Sequence, residues 1–388
     1  MRLTGTNAVG VRLPIISQGD DLVGIVAEHV LKVTGKDALA QSDIVAVTEA
    51  VVAKAAGNFA TADDIARDVR AKFGDAEIGL VYPILSRNRF YNILKGLAAG
   101  AKKLNILLSY PADEVGNPVM DINKLDEVQD AIGGRMVDKE EFYRLSGSFP
   151  HPFTQVDYVE LYGKVSDNVK IYFSNDPRDI LKLTDQVLVG EIHAKDMTKA
   201  RLLKAGAKKV HTLADILSES VDGSGFNREH GVLGSNLSAG DRLKLFPNNA
   251  REFVQQLQDK FHEKCGARPE VLVYGDGAFK DSVCGIWELA DPCVSPGYTG
   301  RLGGQPYELK IKLVADELFG HLGADEKRKA ITQMVREKKS KPDEYREGTT
   351  PRLYADLVGS LCDLVSGSGD KGTPVVLIRG YFDDYAAE

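Results

Sequence analysis

The chain has 388 residues, of which 43% are hydrophobic and 27% are charged, and its formal net charge is −7. This length and composition predict a folded protein of two or three domains and exclude a disordered chain. The negative charge argues against a nucleic-acid partner, although a local basic patch is still compatible with phosphate binding.

The N-terminus lacks a charged segment followed by an apolar core, and no apolar run approaches the roughly 20 residues of a membrane span. We therefore expect a cytoplasmic protein with no membrane partner. The four cysteines show no C-x-x-C spacing and are expected to be reduced thiols. The seven histidines are scattered without metal-ligand spacing, which argues against a zinc enzyme.

The first predicted elements are a capped helix and a buried strand. Asp20 and Asp21 precede the apolar-periodic stretch 22–31, where an Asp side chain can accept hydrogen bonds from the first helical turn. Residues 44–47 are typical of a short buried strand. Lys54 follows in an apolar setting, and two roles stay open for it: a phosphate ligand, or a lysine whose head lies in water.

Strands and helices then alternate, with strands predicted at 78–81 and 104–108 and a helix at 89–97. Gly96 and Gly100 read as signals for a helix end. The run 86–89 places Arg87 and Arg89 close together, which suits a carboxylate or phosphate on a substrate. Surface arginines at a helix start are the more common explanation of such a pair.

The middle of the chain divides into three parts. Residues 109–152 are rich in charge and turn formers and predict a loop-rich lid or substrate-binding region. Residues 169–173 and 187–189 return to strand character. Residues 221–225 predict a hinge before the next segment.

Asp276 follows the predicted strand 270–274 and has a glycine on each side. A carboxylate at the C-terminal end of a strand is well placed to bind Mg²⁺ beside nucleotide phosphates. A turn-forming Asp is the alternative.

A glycine-rich loop at 367–372 precedes the apolar run 375–378. Glycine lets backbone N–H groups approach an anion, and Lys371 can add a positive charge, so the loop favours phosphate binding; a mobile surface loop is the alternative. The loop has the letters of G-x-G-x-x-G. That fingerprint must follow a strand and open a helix, and here the strand comes afterwards, so a Rossmann site is excluded.

In this order, these segments resemble the coenzyme F-420-0:L-glutamate ligase family, the γ-glutamyl ligases that extend a deazaflavin cofactor. The resemblance implies an α/β fold with a mixed α+β ligase core at 1–74 and 225–388. The resemblance covers roughly the first 70 and the last 160 residues and offers no counterpart for the middle, so residues 75–224 would form an inserted α/β region or an added domain that binds substrate or acts as a lid. The matching segments are Leu13 to Ile16, Gly19 to Leu22, Asp43 to Val45, Lys54-Ala55, Gly57, Gly231 to Asn236, Val271 to Asp276, Ala315 to Glu317, the Gly367 loop with Thr373-Pro374, and Arg379-Gly380.

The resemblance also implies a chemistry. Members bind GTP and divalent metal ions, activate a carboxylate as an acyl phosphate, and let the amino group of glutamate displace the phosphate. For this chain it implies GTP or ATP, Mg²⁺ or Mn²⁺, a glutamate-like amino acid, a small carboxylate acceptor and a homodimer. The implied nucleotide-binding residues are Leu13, Pro14, Ile15, Ile16, Lys54, Asn236, Gly367, Ser368, Gly369, Asp370, Lys371, Gly372 and Thr373.

By the same resemblance Asp276 is a metal ligand, with Asp281 and Asp370 as further candidates, and Lys54 and Asp276 are the catalytic residues. Two positions depart from the family pattern. Leu233 stands where the family has a metal-binding Asp, and Ser368 where it has a Glu. Either Asp370, Asp222 or another carboxylate compensates, or fewer ions bind.

Three functions stay open at this point. The first is a nucleotide- and metal-dependent amide ligase, the second a small-molecule phosphotransferase, and the third a non-catalytic nucleotide-binding regulatory protein. Nucleotide turnover that depends on an amino acid separates them.

Overall fold

A computed structural model of the chain describes residues 3–35, 39–110, 119–152, 154–192, 194–238, 240–275, 294–306, 309–337, 353–366, 372–383 and 385, and the backbone of 279–280 and 287–288. The strands are β1 (Asn7–Val11), β2 (Ile44–Thr48), β3 (Phe59–Ala60), β4 (Glu77–Val81), β5 (Lys103–Leu108), β6 (Val137–Asp138), β7 (Val169–Phe173), β8 (Gln186–Val189), β9 (Lys209–Thr212), β10 (Asn236–Leu237), β11 (Leu243–Lys244), β12 (Glu270–Gly275), β13 (Phe279–Lys280), β14 (Trp287–Glu288), β15 (Val294–Tyr298) and β16 (Val375–Arg379).

The α-helices are α1 (Leu22–Thr34), α2 (Glu49–Ala56), α3 (Ala62–Phe73), α4 (Tyr91–Gly100), α5 (Ile122–Ile132), α6 (Lys139–Ser146), α7 (Tyr158–Gly163), α8 (Lys195–Lys204), α9 (Ala250–Cys265), α10 (Ile311–Leu313), α11 (Ala324–Glu337) and α12 (Tyr354–Ser366). Shorter 3₁₀ helices lie at Pro177–Lys182, Leu213–Asp215 and Gly300–Gly303, and a π-helical turn at Val314–Leu318. This mixture of helices and mixed sheets confirms the predicted α/β fold class.

The first large sheet has five strands in the order β1-β16-β2-β12-β15. Strands β2 and β12 run parallel, and the other neighbours are antiparallel. Helices cover both faces of this sheet. Side chains alternate between the two faces along each strand. In β2, Val45 and Val47 face the helices α1 and α9, whereas Ile44 and Ala46 face α12.

The second large sheet has six strands in the order β6-β7-β5-β4-β8-β9, all parallel except the edge strand β6. Helices α3 to α7 cover one face, and α8 with the 3₁₀ helix 177–182 covers the other. The chain starts at β4, steps outward to β5 and β7, and then crosses to β8 and β9. The loops after β4 and β8 therefore flank the point where the strand order reverses, which is where open α/β sheets usually bind ligands.

A small third sheet has the strand order β10-β11-β3. It pairs residues 59–60, which precede the six-stranded sheet in the sequence, with residues 236–244, which follow it. The strands of the five-stranded sheet come from residues 7–48 and 270–379, and those of the six-stranded sheet from residues 77–212. Helix α3 precedes the predicted boundary at 74 and packs against α4 beyond it. The division into a core and an inserted region stays a prediction.

The predicted strands at 44–47, 78–81, 104–108, 169–173, 187–189, 270–274 and 375–378 are confirmed, each within one observed strand. The cap of α1 is Asp21, whose carboxylate accepts a hydrogen bond from Gly24 N at 3.0 Å. Asp20 caps a preceding turn instead, accepting from Ser17 N at 2.7 Å. None of the helices in the described ranges is long and apolar enough to cross a bilayer.

Two sequence predictions were wrong. The segment 109–152 is not loop-rich throughout, since α5, β6 and α6 occupy much of it. Leu125, Val128 and Ile132 repeat at helical spacing and are buried, and this periodicity outweighs the polar composition.

Gly96 does not end a helix, because α4 continues to Gly100. It faces α3 so closely that a Cβ there would lie 2.6 Å from Ile65 Cβ and 2.7 Å from Ala62 O. Gly100 meets Val69 in the same way. These glycines therefore let two helix backbones approach each other.

We predict that Gly96→Val lowers the free energy of unfolding by about 2 kcal/mol or more, because the added side chain must push α3 and α4 apart. Urea denaturation measures this. Ala99→Val is the control: Ala99 is exposed on the same helix, and the change should cost about 0.5 kcal/mol from helix propensity alone. Equal effects of the two changes would contradict the close packing.

Candidate active site between the two large sheets

Several chain segments meet at one edge of the five-stranded sheet, which we call the carboxyl edge because β2 and β12 both end there. Thr48 at the end of β2 is in register with Tyr274 of β12. Val375 at the start of β16 pairs with Val47 and with Val11, so β1 also ends at this edge. Ligands of α/β sheets bind preferentially outside the carboxyl ends of strands.

The loop after β1 runs from this edge along α2. At one end, a Cβ on Gly10 would lie 3.0 Å from Thr373 Cβ; at the other, Gly19 N donates to Ala55 O at 2.9 Å. Within the loop Ile16 is buried and Ile15 is 89% exposed. Lys54 is exposed and precedes Ala55. The loop that contains Leu13 to Ile16 thus contacts Thr373 near one end, and near the other end it contacts α2, the helix that carries Lys54.

Glu49 and Lys244 form a buried ion pair at the carboxyl edge. Glu49 opens α2 directly after β2, and Lys244 Nζ donates a hydrogen bond to its Oε1. The two residues are only 3% and 7% exposed. Strand β12 ends in Gly275 at this point, and a Cβ on that residue would collide with the Glu49 side chain. Neither charged residue was recognised from the sequence.

Asn236 lies on the same face of the small sheet as Lys244, because the two are paired in register. Residues paired in this way have Cβ atoms about 5 Å apart. Asn236 Oδ1 is buried and has no hydrogen-bond partner among the described residues. On the same face, Arg242 stacks on the ring of Phe59 with its guanidinium carbon 4.1 Å from the ring centre.

The turn at 231–234 fixes the position of Asn236. Gly231 has a φ of 53°, and a Cβ there would lie 2.6 Å from Leu213 O, so glycine is required. Val232 N donates to Leu213 O at 3.2 Å. Leu233, at a position where the resemblance implies an Asp, is half-buried and packs against the apolar core of the six-stranded sheet.

The loop after β4, which contains Arg87 and Arg89, contacts β10 through its backbone. Tyr162 holds this loop: its hydroxyl donates to Ile84 O at 2.6 Å and accepts from Ser86 N at 3.0 Å. Arg89 is only 6% exposed, so the explanation as a surface arginine is wrong for it, and α4 begins two residues later. Leu237 N donates to Asn88 O at 3.3 Å, which joins this loop to β10 beside Asn236.

Tyr82 is the first residue after β4 and has a positive φ of 54°. Its hydroxyl donates to Ser174 O at 3.0 Å. Burial, with smaller contributions from the carboxylates of Asp176 and Glu191, raises the pKa of this hydroxyl. Tyr82 therefore stays protonated at neutral pH and acts as a hydrogen-bond donor at the edge of the six-stranded sheet.

The model of the F420-0:Gamma-glutamyl ligase family matches residues 10–380 of the chain. The chain belongs to this family. The match runs through the segment 75–224 as well as the two flanking parts. No curated protein sequence matches the chain. Membership makes the protein a ligase and confirms the resemblance noted in the sequence.

Several predicted site residues of this ligase lie outside the described residues: Asp276, Asp281, Gly367, Ser368, Gly369, Asp370 and Lys371. Asp276 directly follows Gly275, the last residue of β12 at the carboxyl edge. Within the described ranges, no three His, Cys, Asp or Glu side chains form a group that can hold a metal ion. Asp222 lies at the surface, where its carboxylate is 3.1 Å from Arg67 Nε.

We predict that Tyr162→Phe destabilises the ligase by about 1–3 kcal/mol, because it leaves the buried Ser86 N–H without the hydroxyl that accepts from it. Chemical denaturation checks this value. Tyr172→Phe is the control, since the hydroxyl of half-buried Tyr172 has no partner among the described residues. A loss below about 0.5 kcal/mol for Tyr162→Phe would show that the loop is held by other contacts.

Proposed function

We propose that this ligase joins a small carboxylate to an amino acid of the glutamate type, with GTP or ATP as the energy source and Mg²⁺ or Mn²⁺ as cofactor. A carboxylate oxygen of the acceptor would bond to the γ-phosphorus while the bond to the leaving nucleoside diphosphate breaks. The amine would then attack the carbonyl carbon, release phosphate and a proton, and form the amide. The position of Asn236 carries this proposal. Asn236 is paired with Lys244 at the carboxyl edge of the five-stranded sheet, and the next residue is hydrogen-bonded to the loop that follows β4 of the six-stranded sheet.

The nucleotide is assigned to the side of the site formed by Leu13 to Ile16, Lys54 and Thr373. An exposed ammonium and backbone N–H groups suit a triphosphate. Gly372 precedes Thr373 and has a φ of 71°, and no atom of the described residues lies within 4 Å of a Cβ built on it. Phosphoryl transfer needs positioning and positive charge more than a protein nucleophile, so these groups are sufficient.

The acceptor is assigned to the opposite side, where the loop after β4 presents Arg87 and Arg89. A guanidinium binds a carboxylate through two parallel hydrogen bonds and so orients it. Because Leu237 N is bonded to Asn88 O, this loop lies beside Asn236. An acceptor held by these arginines would therefore lie near Asn236.

The described residues fit a divalent cation in one respect. The buried Asn236 Oδ1 lacks a partner among them, and an amide oxygen is a ligand that Mg²⁺ and Mn²⁺ accept. We assign the remaining ligands to Asp276, Asp281 and Asp370. A bound cation would offset negative charge on the transferred phosphoryl group.

The first test measures nucleotide consumption with GTP or ATP and Mg²⁺, using F420-0 as the acceptor. We expect phosphate release that requires both L-glutamate and the acceptor. Release without an amino acid would identify a phosphotransferase instead. Nucleotide binding without any release, over a panel of amino acids and carboxylates, would indicate a regulatory nucleotide-binding protein.

We predict that Lys54→Ala weakens nucleotide binding by about 10-fold or more, the effect of losing one charged hydrogen bond. Isothermal titration with GTP and with ATP, each with Mg²⁺, provides the measurement. Lys32→Ala is the matched control, because Lys32 is an exposed helical lysine that pairs with Glu28. An unchanged affinity for both nucleotides in Lys54→Ala would remove Lys54 from the site.

A further inference from the structure

Burying the Glu49–Lys244 ion pair costs desolvation free energy that an apolar pair would not cost. Both side chains are more than nine-tenths buried, and removing two charges from water offsets most of their attraction. An apolar pair of similar volume is often as stable as a buried ion pair or more so. Its position at the carboxyl edge gives a functional reason for the two charges.

The backbone around Glu49 is adapted to its side chain. Strand β12 ends in Gly275, and any larger residue there would meet the Glu49 side chain. Since β2 and β12 are paired up to Thr48 and Tyr274, both strands hold Glu49 in place. Glu49 in turn fixes the ammonium of Lys244 at the end of the strand that Asp276 follows.

The ammonium of Lys244 retains donors for a ligand. It has three N–H bonds, and its one hydrogen-bond partner among the described residues is Glu49. Asn236, which is paired with Lys244, has a buried Oδ1 without a partner within the same ranges. Two more buried atoms without partners there belong to adjoining chain positions: Ser235 Oγ, next to Asn236 in the chain, and Asn88 Nδ2, whose backbone carbonyl is bonded to Leu237 N. Arg89, also buried, follows Asn88. The Lys244 ammonium can donate to an anion with several oxygens, whereas Asn236 Oδ1 only accepts and suits a cation bound to that anion.

We propose that Lys244 binds the phosphoryl group during its transfer and that Glu49 is the positioning residue that holds Lys244 in place. The identity of this anion rests on the proposed function. Lys244 acts as a fixed positive charge and neither gives up nor takes up a proton. A charge fixed before the reaction stabilises the oxygens of the transferred group without reorganising in the transition state.

The test compares the single variants Glu49→Gln and Lys244→Met with the double variant. Each single change leaves one buried charge without its partner and should lower the melting temperature, whereas the double change removes both charges and should recover most of that loss. The control double variant is Glu77→Gln with Lys103→Met. This pair joins the starts of β4 and β5, at the opposite edge of the six-stranded sheet.

Two quantities are measured for each folded variant: the affinity for GTP and ATP with Mg²⁺, and phosphate release with L-glutamate and F420-0. For the Glu49/Lys244 double variant we expect phosphate release to fall at least 100-fold. If the native protein binds the nucleotide without releasing phosphate, we expect the nucleotide affinity of the double variant to fall at least 10-fold. The control double variant should match the native protein in both. If the ion pair is purely structural, the stable double variant should keep the native nucleotide affinity and the native phosphate release.

The outcomes separate the two proposals. Native turnover that the double variant retains overturns the role of Lys244 and leaves the ligase function intact. Native binding without turnover over the panel of amino acids and carboxylates overturns the ligase function, and a loss of binding in the double variant still supports the role of Lys244. Absence of both binding and turnover in the native protein overturns both proposals.

Discussion

The candidate site depends on the carboxamide of Asn58, which holds the small sheet in place. Its Nδ2 donates to Phe226 O at 2.9 Å and to Phe246 O at 2.6 Å, and its Oδ1 accepts from Phe226 N at 3.0 Å. Its backbone carbonyl accepts from Leu245 N at 3.1 Å. All the hydrogen-bonding groups of this buried side chain are used, so three distant segments are fixed together. Lys244 and Asn236 occupy their positions because of this arrangement.

The buried polar groups of the candidate site are less fully hydrogen-bonded than those of Asn58. Buried polar atoms normally find partners, because each unsatisfied one costs free energy. Asn58 satisfies this rule, whereas Asn236, Asn88 and Ser235 each leave a buried atom unsatisfied by the described residues. Unsatisfied buried atoms also lie elsewhere in the described residues, at Asn105 Oδ1 in β5 and Gln186 Oε1 in β8.

The two large sheets each contribute a different kind of group. The five-stranded sheet ends in Glu49, Gly275 and the loop beside Thr373, and the six-stranded sheet contributes the arginines after β4. Close packing of α3 on α4, which Gly96 permits, lies within the layer of helices that covers one face of the six-stranded sheet. The ligation that we propose would require such a junction, because phosphoryl donor, acceptor and amine must meet within a few ångströms.

The sequence by itself determined the elements whose signals are local. The strand at 44–47, the Asp21 cap and the strand at 375–378 follow from periodicity and capping, and the order of the motifs identified the family. The nearness of Asn88, Asn236 and Lys244 was decided only by the tertiary structure, since no local signal links them. Glu49 and Lys244 are separated by 195 positions, and each reads alone as a charged residue beside an apolar run. The sequence shows that both are charged, but only the packing of β2, β11 and β12 shows that they are buried and paired.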